Sequence, residues 1–164
     1  MTTSHTFHQL AWGSAVVALG LLASATVAGD TADATSAATA AAPVRTGSPT
    51  SAVDRVADFY GAYVDVLYDV GHGRLTSALR AHYLTPGLQR SLARWEAAHH
   101  KDGVLRAKGV PTRWTVVYND SGMGHCWSRV TLTWQDSGHR THRTHLMVQS
   151  DLATMLISDI KIDK

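Results

Sequence analysis

The apolar residues of this chain change their spacing at Pro111, and that change limits the folds open to it. Upstream, from Val53 to His99, they recur every three or four positions; downstream, from Trp114 to Ile162, they alternate. The first spacing lines up side chains on one face of a helix, the second on one face of a strand. Helices followed by strands give an α+β architecture, with helical stripes packed on one side of an antiparallel sheet.

Three helices are expected. Val53, Val56, Ala57, Tyr60, Tyr63, Val64 and Leu67 form one stripe, with Asp54, Arg55, Asp58, Asp65 and Asp69 away from it. Ser51 is a natural N-cap for this helix, and Gly71-His72-Gly73 stops it. A second helix over residues 74–84 turns Leu75, Ala78 and Leu79 inward, with His82 or Tyr83. Thr85-Pro86 starts the third, a capping hydroxyl before a proline whose missing N–H costs nothing there. Its stripe is Leu88, Leu92, Trp95 and His99; Lys101 and Asp102 are expected to close it in solvent, before Gly103.

About four strands follow. In "TRWTVVYND" Trp114, Val116 and Tyr118 share a face. In "CWSRVTLTWQD" Cys126, Ser128, Val130, Leu132 and Trp134 oppose the more polar Trp127, Arg129, Thr131 and Thr133, so the Cys126 side is the inner one. Asn119 to Gly124 reads as a hairpin connection and Asp136-Ser137-Gly138 as a second turn, because these residues supply positive φ angles and local hydrogen bonds. "RTHRTHLMVQS" and, after a turn at Asp151, "TMLISDIKI" complete the meander.

The front of the chain reads as an address. Leu10 to Gly29 contains no charged residue and ends in small ones, so residues 1–29 are expected to form a signal peptide, with an uncleaved anchor as the alternative. The first nine residues hold His5 and His8 but neither Lys nor Arg, a departure from the usual positive start. Residues 30–52 are rich in Ala, Thr and Ser and lack the apolar surface to offset the entropy of ordering, so a disordered linker is expected. Residues 53–164 would form a single domain acting outside the membrane, which it meets only through the N-terminal segment during export. The formal charge is +2, and the arginines are dispersed instead of forming the basic stripe that a nucleic-acid binder needs. The single cysteine rules out an intrachain disulfide.

The succession "FYGAYVDVLYD", "HYLTPGLQRSLARWE", "GVLRAKGVPTRWTVVYND" and "ISDIKID" resembles exported bacterial members of the nuclear-transport-factor-two-like superfamily, in particular a secreted group of unknown function. The resemblance spans most of residues 53–164 and includes no catalytic signature. It implies a curved sheet wrapped round the helices as a cone with an inner pocket. Some members are isomerases or dehydratases, and many others bind a ligand or a partner.

Such a pocket would be lined by the inner aromatics Tyr60, Tyr63, Trp95, Trp114 and Trp134, for which core packing is the competing role. Cys126, His145 and Asp159 are the candidates for chemistry within it. His125 and Cys126 are neighbours on a strand, point to opposite faces and cannot form a dyad. A base for the thiol would have to come across the sheet, from His145 or His142. His139, His142 and His145 recur every three residues, but on a strand His139 and His145 share a face about 20 Å apart, too far for one ion. Asp159 is expected within a strand, paired with Arg129 or Arg140. No metal and no cofactor is expected. The sequence favours a module that binds a small molecule or a protein; the alternative is a small extracytoplasmic enzyme, isomerase- or dehydratase-like or a thiol hydrolase. A homodimer through the outer sheet face would be anchored by Trp127.

Overall fold

A computed structural model describes residues 45–163. The expected signal peptide and the first part of the expected linker lie outside the described residues. Three helices, α1 (Ala52–Val70), α2 (Arg74–Tyr83) and α3 (Pro86–His99), precede four strands, β1 (Arg113–Gly122), β2 (His125–Gln135), β3 (Thr141–Asp151) and β4 (Ile157–Ile162). The strands form one antiparallel sheet in the order β1-β2-β3-β4. The architecture is α+β.

Ser51 caps α1 through its hydroxyl, which accepts from the Asp54 N–H at 3.2 Å. At the other end Gly71 has φ 73°, a left-handed value that glycine tolerates best, and its N–H bonds the Leu67 carbonyl. The buried stripe of α1 is Ala52, Val56, Phe59, Tyr60, Tyr63, Val64 and Leu67. It is rotated from the expected one, with Phe59 at its centre and Val53 and Ala57 only half-buried. Phe59 meets Tyr60, Tyr63 and Tyr83 at ring-centroid distances of 5.4, 5.3 and 5.5 Å. These rings, with Leu84, Leu88 and Leu92 from the helical side and Val130, Leu132, Leu146, Val148, Ile157 and Ile160 from the sheet, fill the core. Each such buried side chain contributes roughly 1.5–3 kcal/mol.

The face that α2 buries differs from the expected one. Leu75 is 58% exposed and Ala78 is also exposed, while Thr76 is buried and Leu79 and Tyr83 pack against the core. The rotation brings Arg80 towards α3 and lets the Thr76 hydroxyl cap the helix by bonding the Gly73 N–H and carbonyl, each at 2.9 Å. Thr85 caps α3 as expected, accepting from the Leu88 N–H at 3.2 Å.

The first hairpin corrects the expectation of a connection from Asn119 to Gly124. β1 continues to Gly122, and only Met123 and Gly124 turn, with φ of 50° and 80°. Two consecutive positive φ angles match the right-handed twist of a two-residue hairpin. Pairing with β2 thus overrides the turn preference of Asn119, Asp120 and Ser121. The register shifts between Tyr118 and Asp120, leaving Asn119 as a bulge. The turn at Asp136 forms as expected, its carboxylate accepting from the Gly138 and Arg140 N–H groups.

Candidate functional site

Cys126 lies on the inner face of β2, buried, opposite Ser121 of β1 and Ser150 of β3. Burial pushes its thiol above the ordinary cysteine value. His125 points to the other face, where its ring meets Trp127 edge-on at 5.9 Å. His145, expected within reach of the thiol, pairs with Thr131 on the outer face and bonds its hydroxyl at 3.1 Å. His142 does share the inner face but stacks on Trp134, at the far end of β2 from Cys126. Among the described residues no histidine therefore reaches the thiol, and no hydrolase dyad forms there.

Asp159 also turns outward. It pairs with Lys161 at 2.7 Å, in place of the expected Arg129 or Arg140, which bind Asp163 and Asp136. Tyr60, Tyr63 and Trp134 are buried core residues. Trp114 is half-buried beneath Arg45, whose guanidinium lies 4.9 Å from its ring and pairs with Asp58 at 2.8 Å. Residues 45–51, assigned to the linker by sequence, thus contribute contacts to the folded body. Trp95 sits between the stacked His99 ring at 4.2 Å and Arg106 at 4.5 Å. The eight candidates do not converge on one cavity: five belong to the core or its margin, Trp95 to the α3 side, and His145 and Asp159 to the outer sheet face.

Convergence occurs elsewhere. A cleft of about 410 Å³ opens between the α1–α2 turn, α2, the end of α3 and the loop from His100 to Gly109. Its floor is a network centred on Arg80, whose side chain is 17% exposed. The guanidinium donates to both oxygens of Glu96, at 2.7 and 3.1 Å, and to Asp102 Oδ2 at 3.2 Å. The Tyr63 hydroxyl accepts from Arg80 Nε at 3.0 Å and donates to Asp102 Oδ2 at 2.7 Å. Asp102, expected in solvent, is buried, and its other oxygen accepts from the Leu105 N–H at 2.7 Å. Glu96 Oε1 accepts from the Gly103 N–H at 2.7 Å, and a Cβ at Gly103 would lie 2.9 Å from that oxygen, so a larger residue would push the carboxylate aside. His72 Nε2 reaches Asp102 Oδ2 at 3.6 Å from the rim.

The electrostatics follow from these contacts. Burial works against the charge on Arg80, but its bonds to Glu96 and the surrounding negative charge outweigh that cost and hold it more firmly protonated than usual. Burial likewise raises Glu96, yet the Arg80 hydrogen bonds and the Gly103 N–H pull it below the ordinary carboxylate value. Burial, reinforced by Asp102, holds the Tyr63 hydroxyl protonated. Glu96 is thereby held as an acceptor and the Arg80 guanidinium as a donor, with the Tyr63 hydroxyl bridging from Arg80 to Asp102. Arg80, Glu96 and Tyr63 are therefore each poorly suited to exchanging a proton with a substrate near neutral pH. Around it stand Lys101 and Lys108, neither within 4 Å of a carboxylate among the described residues, with His72 and His100 beside them.

Among the described residues, no group of three or more His, Cys, Asp or Glu is placed to hold a metal ion, and no helix is long and apolar enough to cross a membrane. The sequence pointed elsewhere because Arg80, Glu96 and Asp102 come from three separate elements with no motif linking them. The one available signal was that Glu96 is the only glutamate in the chain.

No family model matches the chain, and no curated protein does. Among solved structures, the crystal structure of a protein of unknown function from Bacteroides thetaiotaomicron VPI-5482 is similar, with a TM-score of 0.50 and 21% sequence identity. The match covers 67% of this chain and 88% of that one. At that identity the likeness concerns the fold alone.

Proposed function

We propose that this chain is an exported binding module of the nuclear-transport-factor-two-like kind, its sheet curved round the helices, and that it takes its ligand at the cleft beside Arg80. The observation that carries this reading is the contrast between two regions. The space between helices and sheet is filled by Phe59, Tyr60, Tyr63 and the aliphatic core, whereas the Arg80 cleft is open and lined by fixed charges. A ligand site needs concavity and a few polar groups held in place, and the cleft has both. An enzyme needs an acid or base free to change its protonation, whereas Arg80, Glu96 and Tyr63 on the cleft floor are each held in one state. Export, as the apolar segment before residue 30 suggests, would bring the module to ligands outside the membrane.

The test is amide hydrogen exchange over residues 100–109 in the full chain, with small acids, amines and neutral sugars as probes. Slowed exchange with any one of the three classes supports the reading. Unchanged exchange with all three, together with ester hydrolysis that disappears in Cys126→Ser, overturns it in favour of an enzyme.

A further inference from the structure

We infer that the cleft takes a small organic oxyanion, a molecule carrying carboxylate or phosphate groups, held at the rim by Lys101 and Lys108; this rests on the reading of the cleft as the binding site. The floor, Arg80 against Glu96 and Asp102, carries a formal charge of −1, and its groups are bonded to one another. Glu96 and Asp102 are bonded to Arg80, Tyr63 and the backbone N–H groups of Gly103 and Leu105, so most of the roughly four acceptor sites on each carboxylate are taken before any ligand arrives. Counted as formal charges, the lining has three cations (Arg80, Lys101, Lys108) against two anions (Glu96, Asp102), a net +1 before either histidine is protonated.

The positive excess is at the mouth, where Lys101 and Lys108 stand. Lys101 and Lys108 flank the loop that Asp102 closes on itself through its N–H to the Ala107 carbonyl at 3.0 Å. Arg80, Glu96 and Asp102 pin that loop to α2 and α3, so the two ammonium groups are carried on an anchored backbone. An ammonium group is a compact point charge that takes carboxylate and phosphate alike, without the planar fork that selects one geometry. The volume, about 410 Å³, is within the range of small-molecule sites and far larger than a bare ion needs. The ligand therefore has an organic body as well as its charge.

The experiment is a titration of the isotopically labelled full chain with citrate, glycerol 3-phosphate, inorganic phosphate, spermidine and glucose, read at the backbone amides of residues 100–109. Saturable shifts with citrate or glycerol 3-phosphate are expected, and the tighter of the two identifies the preferred headgroup. Raising salt from about 50 to about 300 mM should weaken binding several-fold, since exposed charge contacts are screened. The double variant Lys101→Glu/Lys108→Glu should bind at least about tenfold more weakly while its thermal midpoint stays within a few degrees, because both lysines are exposed. Shifts with spermidine or glucose but neither organic acid would leave the binding reading standing and overturn the oxyanion. Inorganic phosphate binding as tightly as the organic acids would overturn the organic body. Undiminished acid binding in the double variant would overturn the role of the lysines, and silence from all five probes would sink both readings.

Discussion

Replacing Arg80 by methionine keeps the aliphatic stem and removes the guanidinium, leaving Glu96 and Asp102 facing one another across the cleft floor. Removing one partner from a buried ion pair costs about 3–5 kcal/mol, chiefly because a desolvated charge is stranded. Here the lower end applies. Asp102 keeps the Leu105 N–H, Glu96 keeps the Gly103 N–H, and the Glu96 side chain is 26% exposed and can rehydrate. The expected loss is about 3 kcal/mol at pH 7, which for a domain of this size lowers the thermal midpoint by roughly 10–15 °C. Urea unfolding followed by tryptophan fluorescence measures it, with an unchanged slope showing that the unfolded state is the same. Adding Glu96→Gln to Arg80→Met should cost less than the two single losses together, by about 1–3 kcal/mol. The pH dependence has a definite sign. The folded-state pKa of Glu96 lies below its unfolded value, so its contribution is complete above that unfolded value, near 4.3, and is lost as pH falls through the folded one. The gap between wild type and Arg80→Met should therefore narrow below about pH 4. A loss under about 1 kcal/mol, or strictly additive single and double variants, would refute the network as an energetic unit.

Three other outcomes are expected. Phe59→Ala should cost about 3–5 kcal/mol in the same urea assay, as a fully buried ring touching three tyrosines leaves a cavity. Gly103→Ala should cost about 1–3 kcal/mol and speed amide exchange at Leu105, because the new methyl group displaces Glu96 Oε1. Cys126 should react with a thiol reagent at neutral pH about a hundredfold more slowly in the native chain than in urea, and Cys126→Ser should not abolish folding.

The fold was legible where periodicity is strong. The Ser51 start of α1, the Thr85-Pro86 start of α3 and the alternation of β2 follow from capping chemistry and side-chain spacing, although the buried face of α1 is turned towards Phe59. The alternation of β2 settled the question of His125 and Cys126. Three local readings failed for physical reasons that spacing does not encode. The orientation of α2 that packs Leu79 and Tyr83 on the core also places Arg80 against Glu96 and leaves Leu75 outside, with Thr76 buried in its place. Asn119 to Ser121 favour turns in isolation, but the β2 ladder holds them as strand. Asp102 looks like a solvated helix end, yet Tyr63 and Arg80 draw it inside. The candidate site was illegible for the same reason: its members meet only after three elements have packed. His145 and Asp159 dropped out because strand alternation sends both to the outer face.

The two borders of the sheet are not equivalent. On β4, Thr85 takes the Ile157 carbonyl and Arg106 takes that of Ile160, so a newcomer finds those acceptors engaged. β1 ends in a hairpin tip where Met123 is 99% exposed, and among the described residues no further strand lies beside it. Any lengthening of the sheet by backbone pairing is thereby one-sided. Two copies joined through β1 would turn their obstructed borders outward, and growth would end at a pair instead of running on into a fibre.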